Sequence, residues 1–450
     1  MAAGSIAQIN FDEVRGRHLL IALSGGADSV ALAVLLKDAA ATCRLKLSAA
    51  HLNHMIRGVD ADADAAFCRA FCKELDISLI EGRIDIPALA RQRGVGLETA
   101  ARDARYTFLN DAMRRCGADY IALAHHLNDQ AETVLMHLLR GAGPDGVCGM
   151  ARLSGRLYRP LLGLKKCELI AFLRAHGFSW REDQTNTEAD TPRNILRLNV
   201  FPQIEECYPG AAEAIARFAS YARVESDYMA TQTRYFLETN RDAGPYGMRL
   251  RLEPRPHEAI LRRAIREIAG STLCGAKLDE LIALCAKPRG KTELSRELIA
   301  EKTPTALYFL QKDAKKAAPA ALNFCGWTTL DGICRILAAP GDGEIVPDDS
   351  RDELLNADAL RGALLRTRRD GDRFHPLGAP GDRLLSDYLT DRRIDRPLRD
   401  VLPLVAVGDR VLWVCGVGIA EEAKISPNTR RMLRLKLYNI TDEETGGWLV

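Results

Sequence analysis

The sequence lacks the features that would place it outside the cell or in a membrane. Its twelve cysteines are scattered and no two form a Cys-x-x-Cys pair, which disfavours a zinc site or a disulfide framework. Its first residues, MAAGSIAQINFDEV, contain no basic segment followed by an apolar one. The apolar run Val30–Leu36 is far shorter than the ~18 residues of a membrane span. These absences predict a soluble cytoplasmic protein with no membrane partner.

The sequence also lacks an excess of charge of one sign. Its 450 residues include 62 basic and 60 acidic side chains, for a net charge of +2. A field that attracts nucleic acid over the whole surface is therefore not expected, and any site for a polyanion must be a local patch. One such patch is predicted between residues 361 and 436, which hold 16 basic and 10 acidic residues.

Between residues 18 and 126 the chain alternates short apolar runs with amphipathic segments. The predicted strands are HLLIALS, LKLSAAHLN, SLIEGRIDI and DYIALAHH, and the predicted helices are SVALAVLLKDAA, ADADAAFCRAFCKEL, ETAARDARYTFLNDAMRRC and DQAETVLMHLLR. This alternation predicts a parallel sheet covered by helices on both faces. Ligands of such sheets bind beyond the carboxyl ends of the strands.

The rest of the chain divides by its composition. We expect the α/β domain to cover residues 1–210, a mostly helical domain 211–337, a linker 338–350 and a β-rich domain 351–450. A helix is predicted over 163–176, ending at Gly177, and a tight hairpin at Gly408-Asp409.

The first motif, SGGADS at residues 24–29, lies between a predicted strand and a predicted helix. Glycines and small hydroxyls in such a turn allow backbone N–H groups to converge on a phosphate. Asp28 stands where a Walker P-loop carries lysine, so a carboxylate here calls for Mg²⁺ between it and a pyrophosphate. A purely structural turn with a capping side chain is the alternative.

The second motif, HHLNDQAET at residues 125–133, also runs from a strand end into a helix. Asp129, Glu132 and Thr133 are spaced to share one face of the first helical turn. The helix dipole alone explains acidic residues there. Both motifs follow strands of one predicted sheet, however, so we expect their carboxylates to meet in one cleft and to serve a metal and a proton acceptor.

Both motifs resemble those of a known family. SGGADS resembles the pyrophosphate loop of the PP-loop ATP pyrophosphatases, and HHLNDQAET resembles a signature of the tRNA(Ile)-lysidine synthetases, with Asn128 where aspartate is also common. Further segments are similar to that family, in the same order along the chain: HLNHMIRG (51–58), ARDARY (101–106), RPLLGLKKCELIAFLRAHGFSWREDQTN (159–186), TPRNILRLNVFP (191–202) and parts of 361–425.

The resemblance implies a Rossmann-like PP-loop domain, a helical domain and a small β-rich α+β C-terminal domain. It also implies an enzyme that uses ATP and Mg²⁺ to join L-lysine to C2 of the wobble cytidine in the CAU anticodon of tRNA(Ile). The cytidine is adenylated first, and AMP and pyrophosphate are released. A homodimer is left open.

The resemblance and the motifs together give the candidate site residues. The catalytic candidates are Asp28, Asp129 and Glu132, with Asp129 the first choice for the base and Asp28 and Glu132 for Mg²⁺. The candidates for binding ATP are Ser24, Gly25, Gly26, Ala27, Asp28, Ser29, His51 and His125. The candidates for binding lysine or tRNA are Arg105, Arg193, Asn194, Arg368, Arg369 and Arg373.

Three other interpretations share some of these features. A PP-loop tRNA thiolase would use the same ATP loop, but such enzymes usually depend on catalytic or cluster-binding cysteines. A small-molecule amide-forming PP-loop synthetase would not need a basic third domain. A non-catalytic RNA-binding protein would not need the acids Asp28, Asp129 and Glu132.

Overall fold

The computed structural model describes residues 9–56, 58–181, 191–244, 247–270, 273–312, 317–341 and 351–439. The chain forms two compact units, Met1–Asp227 and Tyr228–Val450. The division therefore falls inside a long helix, Ala211–Asn240, whereas the sequence analysis placed a boundary at its start. Within the described ranges, every helix is too short or too polar to traverse a lipid bilayer.

The first unit contains a six-stranded sheet with the order β3-β2-β1-β4-β6-β5. Its strands are β1 His18–Ala22, β2 Lys46–Asn53, β3 Ser78–Arg83, β4 Tyr120–Ala122, β5 Leu153–Ser154 and β6 Leu157–Tyr158. All neighbouring strands are parallel except β5 and β6, which pair antiparallel. The four strands predicted from the apolar runs are confirmed.

Helices connect and cover these strands. They are α1 Ala27–Cys43, α2 Val59–Glu74, α3 Ile86–Arg93, α4 Leu97–Cys116, α5 Leu127–Leu139, α6 Lys166–Ala175, α7 Pro192–Ile195, α8 Phe201–Cys207 and α9 Ala211–Asn240, with a π-helical turn at Leu196–Val200 and 3₁₀ turns at Asp12–Val14 and Pro144–Cys148. The predicted helices are confirmed. In α1 the side chains of Val30, Leu32 and Leu36 have no exposed surface, so this helix is part of the core.

The strand order reverses between β1 and β4, which lie side by side with Leu19 opposite Tyr120. One connection leaves β1 toward β2 and β3, and the chain then returns to add β4 on the other side. Such a switch point opens a crevice at the carboxyl ends of the strands. Both sequence motifs begin at this place, one after β1 and one after β4.

The second unit begins with α9 residues and continues into an antiparallel sheet of the order β7-β8-β11-β10-β9. Its strands are β7 Arg241–Gly244, β8 Gly247–Arg251, β9 Gly290–Glu293, β10 Leu298–Lys302 and β11 Ala306–Gln311, and its helices are α10 Glu258–Ala269 and α11 Gly275–Cys285. The helices of this region were predicted and the strands were not. Leu250 and Leu307 are buried with Leu261 and Leu281, so one sheet face packs on the helices.

Two further sheets complete the unit, a four-stranded antiparallel one and a seven-stranded one in which β17 and β20 pair in parallel. Their strands are β12 Ala320–Ala321, β13 Gly326–Leu330, β14 Cys334–Gly341, β15 Asp352–Asn356, β16 Leu364–Arg366, β17 Arg373–Phe374, β18 Arg383–Leu384, β19 Leu404–Val407, β20 Arg410–Val414, β21 Gly418–Ile419 and β22 Met432–Asn439. Two short helices, α12 Leu385–Asp391 and α13 Arg396–Arg399, and the 3₁₀ turn Glu421–Ala423 accompany them.

This region confirms the predicted β-rich character and the hairpin, since Gly408 joins β19 to β20 with φ +62°. It corrects the predicted linker, because residues 338–341 belong to β14 and pair with β22. The remaining linker residues, 342–350, lie outside the described residues. The four-stranded sheet thus takes β13 and β14 from before the linker and β15 and β22 from after it.

Candidate active site

The first motif forms the turn between β1 and α1. Gly25 has φ +88°, and a Cβ at this position would lie 3.3 Å from Sγ of Cys68. Ser29 closes the turn, because its hydroxyl donates to the carbonyl of Gly26 at 3.0 Å and lies 3.0 Å from the hydroxyl of Ser24. Among the described residues, no side chain caps the start of α1 at Gly26. The first amides of this helix therefore remain able to bind an anion.

A second segment supports this turn from the side. The backbone N–H of Arg181 donates to the carbonyl of Gly25 at 2.9 Å. The Nε of Arg181 donates to Oδ1 of Asp64 on α2, also at 2.9 Å, and the Asp64 side chain is only 11% exposed. The sequence analysis did not single out either residue, although Arg181 lies in one of the family-like segments. The last residues of that segment, EDQTN at 182–186, lie outside the described residues.

The second motif forms the start of α5. His126 and Asp129 make a reciprocal capping box: the N–H of Asp129 donates to Nδ1 of His126, and the N–H of His126 donates to Oδ2 of Asp129. The Nε2 of His126 lies 3.7 Å from Oδ2 of Asp28 and 3.5 Å from Oδ2 of Asp129. The two motifs thus meet, as predicted, and His126 is the residue between them.

Two arginines bind the carboxylates of α5. Arg193 approaches Asp129 at 3.1 Å and Glu132 at 2.9 Å, and Arg197 approaches the same two at 2.8 and 2.6 Å. The carboxylates are buried, whereas each arginine side chain is 29% exposed. Arg193 was predicted from the sequence and Arg197 was not. The signal for Arg197 was its position four residues after Arg193, on the same face of a helical segment.

The acids of the cluster differ in their affinity for protons. Burial raises the pKa of Asp28, and the nearby His126 and Lys166 offset this increase only in part. Burial also acts to raise the pKa of Asp129, but His126, Arg193 and a backbone N–H outweigh it, so this pKa lies below its ordinary value. Asp129 is therefore held in its ionised form at neutral pH.

The donor set fits a magnesium ion at Asp28 and not at Glu132. Oδ1 of Asp28 is buried and accepts no hydrogen bond from any residue in the described ranges. Both oxygens of Glu132 are occupied by arginines. No three His, Cys, Asp or Glu side chains among the described residues are placed to hold a metal, as expected for an ion that takes most of its ligands from phosphate and water.

Other predicted residues lie at varying distances from this cluster. His51 is buried, with Nδ1 2.9 Å from the carbonyl of Leu23 at the end of β1. Burial lowers the pKa of His125 to about 4, so its ring is neutral. Asn194 follows Arg193, and its N–H is capped by Thr191 at 3.2 Å. Arg105 lies on an exposed face of α4, and no contact described above brings it to the acids.

A pocket of about 250 Å³ adjoins the arginine–carboxylate cluster. Among the residues that line it are His126, Glu132, Lys166, Arg197, Phe201 and Glu205. The pocket therefore presents two positive and two negative side chains beside an aromatic ring. Such a lining suits a small molecule that itself carries charges of both signs.

Two of the three predicted tRNA-binding arginines of the second unit are paired with carboxylates. Arg368 pairs with Asp400 at 2.7 Å and Arg373 with Asp382 at 2.6 Å, whereas Arg369 is exposed. Arg366, another member of the basic stretch, is only 1% exposed and binds both oxygens of Asp372 at 2.8 Å. Arg366 is thus a structural residue, and no part of a basic surface.

Comparisons with known proteins agree with this geometry. A PP-loop domain model matches residues 3–204, and a model of the TilS substrate C-terminal domain matches residues 364–437. A tRNA(Ile)-lysidine synthase from Caldanaerobacter subterraneus subsp. tengcongensis is 33% identical over 431 residues, covering 92% of each chain. Another from Geobacter sulfurreducens is 33% identical over 442 residues, covering 94% of this chain and 93% of that one.

A solved structure, the U34-tRNA thiolase NcsA from Methanococcus maripaludis, is more distant. It is 19% identical, covers 49% of this chain and 76% of its own, and aligns with a TM-score of 0.42. Similarity at this level decides nothing about function.

Proposed function

This chain belongs to the tRNA(Ile)-lysidine synthase family, and we propose that it uses ATP to join lysine to C2 of the wobble cytidine of tRNA(Ile). The observation that carries the proposal is the meeting of both family motifs, through His126, at the switch point of the sheet. Under this proposal the substrates are ATP, L-lysine and a tRNA with the CAU anticodon, and the reaction takes place in the cytoplasm. A homodimer remains a prediction.

The C2 carbonyl of cytidine needs activation before an amine can attack it. This carbon is urea-like and a poor electrophile, and its oxygen is a poor leaving group. Attack of O2 on the α-phosphorus of ATP releases pyrophosphate and leaves C2 bonded to an adenylate. Lysine can then attack C2 and displace AMP, so one ATP both activates C2 and provides the leaving group.

We assign the turn at residues 24–29 to the departing pyrophosphate. The uncapped amides of α1 and the hydroxyls of Ser24 and Ser29 supply donors where negative charge develops. When bound, Mg²⁺ would neutralise part of that charge, with Asp28 as its ligand. His126, next to Asp28, and the buried rings of His51 and His125 border the nucleotide side of this site in the proposal.

We assign the adjoining pocket to free lysine. Its Glu205 carboxylate would face an ammonium group of lysine and Lys166 its carboxylate, whereas Glu132 and Arg197 line the pocket as a pair already bonded to each other. A volume of about 250 Å³ is below the range of drug-sized ligand sites and suits an amino acid. Asn194 and Arg193 stand next to this pocket on α7, and Arg193 holds Glu132 in place.

Asp129 is the proton acceptor in this proposal. A carboxylate with a lowered pKa is a weak base toward free lysine, whose amine has a pKa of about 10.4. The ε-ammonium first loses one proton to solvent, because only the uncharged amine can attack C2. After attack the nitrogen is cationic and far more acidic than free lysine, and an ionised carboxylate within reach can accept its proton. The low pKa of Asp129 ensures that it is ionised when this proton must leave.

The reaction is tested directly with purified protein, Mg²⁺-ATP, labelled lysine and an isoleucine tRNA transcript. We expect label in the tRNA together with one AMP and one pyrophosphate for each lysine. The matched control is the same transcript with uridine in place of the wobble cytidine. Label in that control, or ADP as the nucleotide product, would contradict the proposal.

A further inference from the structure

The four-stranded sheet of the second unit presents an aromatic and basic surface that the proposed chemistry does not use. Its order is β13-β14-β22-β15, and side chains alternate between a buried face and an exposed one. On the exposed face, Arg335 on β14 lies opposite Tyr438 on β22, and Trp327 on β13 lies opposite Leu337 on β14. We call the outward side chains of Trp327, Arg335, Lys436 and Tyr438 the aromatic face.

These four side chains form one connected cluster. The guanidinium carbon of Arg335 lies 5.0 Å from the centre of the Trp327 ring. The rings of Trp327 and Tyr438 are 5.1 Å apart and meet edge to face, at 65°. Lys436 reaches within 6.0 Å of the Tyr438 ring centre. The indole of Trp327 is nevertheless 47% exposed, which is unusual for so large an aromatic residue.

The charge of this face is positive. The outward positions of the four strands hold three cations, Arg335, Arg434 and Lys436, and one carboxylate, Asp352. Arg434 binds Asp352 at 2.8 Å and Lys436 lies 3.9 Å from it, and they leave Asp352 no exposed surface. Arg335 makes no ion pair with any residue in the described parts of the chain. Its charge is directed at the aromatic rings and the solvent.

We propose that the aromatic face binds an unpaired nucleotide of the RNA substrate, with the base stacked on Trp327 and the flanking phosphates beside Arg335 and Lys436. Paired bases hide their faces inside a helix, so an exposed indole can stack only on a nucleotide outside a stem. An aromatic ring flanked by cations is the usual arrangement for holding single-stranded RNA. This inference rests on the proposed function, because it takes tRNA as the substrate.

Trp327 and Arg335 of the aromatic face lie outside the basic patch that the sequence predicts between residues 361 and 436. Arg366, Arg368 and Arg373 are bound by carboxylates of their own unit, whereas Arg335 is not. Positive charge that is not neutralised within the protein attracts phosphate more strongly. Every nucleotide of RNA carries a negative phosphate, whereas a protein surface does not have to be acidic. The positive charge of the aromatic face therefore favours RNA over a protein as its partner.

The test compares Trp327→Ala, Trp327→Phe and Arg335→Gln in the full-length protein. We expect Trp327→Ala to weaken tRNA binding about tenfold, as loss of one stacked base does, and to raise the KM for tRNA with little change in kcat. Trp327→Phe keeps a ring and should bind within about threefold of the wild type. Arg335→Gln should lower the salt dependence of binding by about one counterion.

The matched control is Arg361→Gln, which removes the same charge from an arginine that is 71% exposed and paired with Asp358 in the same unit. We expect this variant to retain the affinity and salt dependence of the wild type. A direct readout is the tryptophan fluorescence, which a short single-stranded oligoribonucleotide should quench in the wild type and not in Trp327→Phe, and which an RNA duplex of equal length should leave unchanged.

Two outcomes would overturn the inference while the proposed function stands. One is wild-type tRNA affinity for Trp327→Ala in a protein that still forms lysidine. The other is a change of oligomeric state for Trp327→Ala, measured by sedimentation, which would make the face a contact between copies of this chain. If the wild type binds tRNA but transfers no lysine, the proposed function fails and the binding results still decide on the aromatic face.

Discussion

One arginine–carboxylate cluster of the second unit and one of the first differ in how fully they are enclosed. Arg366 and Asp372 are 1% and 3% exposed, and Arg366 also donates to the carbonyls of Thr367 and Gly408. Arg193 and Arg197 are each 29% exposed, and Arg197 lines a pocket. Nearby, Oδ1 of Asp28 accepts no hydrogen bond from the described residues. The cluster of the second unit is enclosed and serves stability, whereas that of the first unit is open to a pocket and can bind something else.

The largest effect should come from breaking the buried pair. Arg366→Met leaves the Asp372 carboxylate buried without its main partner, which costs about 3–5 kcal/mol of unfolding free energy. Urea denaturation followed by tryptophan fluorescence measures this loss. The double variant Arg366→Met with Asp372→Asn removes both charges and should recover most of it. A single variant within about 1 kcal/mol of the wild type would show that the buried pair is not structural.

In the first unit the corresponding substitution should affect turnover more than stability. Asp129→Asn keeps the size of the side chain and one acceptor oxygen for the arginines, but removes the proposed proton acceptor. We expect lysine transfer to fall at least about 10²-fold, the usual contribution of a general base, while tRNA binding is retained. Single-turnover lysine labelling and a binding assay measure the two effects. Unchanged turnover would mean that Asp129 is not the base.

We expect the smallest effect from a substitution of Arg181, which lies outside both clusters and contacts the turn at residues 24–29. Arg181→Gln removes the pairing with Asp64 that keeps residue 181 against Gly25. We expect the KM for ATP to rise about tenfold, with kcat nearly unchanged, because positioning of the phosphate loop is lost and the reacting groups remain.

The control for this prediction is Arg69, which lies on α2 as Asp64 does. Arg69 and Glu81 form an exposed pair at 3.3 Å, so Arg69→Gln should leave the KM for ATP as it is. The exchanged pair Arg181→Glu with Asp64→Lys should restore part of the affinity for ATP. An equal effect of Arg69→Gln and Arg181→Gln would rule out a specific role for Arg181.

The sequence predicted the first unit well, and the reason is physical. In a parallel sheet with short connections, apolar runs become strands and residues that follow them collect at one edge, so the meeting of Asp28 and Asp129 followed from topology. Arg197 and the Arg181–Asp64 pair were not predicted, because their partners lie far away in the sequence. A local sequence pattern contains no information about such long-range pairs. Arg366 belongs to the stretch predicted to form a basic patch but is buried, and no local sequence pattern distinguishes a buried arginine from an exposed one.

The strands of the middle region were missed for a different reason. Segments such as GMRLR in β8 and GKTE in β9 are short and rich in polar residues, and only one face of their sheet packs on helices. The pairing of β8 with β11 joins residues far apart in the chain, as between Arg251 and Ala306. Helices α10 and α11 were predicted, because each carries its own apolar stripe.

The two sides of the cleft differ in rigidity: one is formed by α1 and the turn before it, and the other, the arginine wall, by the segment that carries Arg193 and Arg197. With the side chains of Val30, Leu32 and Leu36 fully buried, this helix cannot slide along its axis without disrupting the core, so the side of the cleft formed by α1 and the turn before it is rigid. The opposite wall carries Arg193 and Arg197 on a four-residue helix and a π-helical turn, where backbone hydrogen bonding is least regular. Any adjustment to the size of an arriving substrate must therefore be made by the arginine wall.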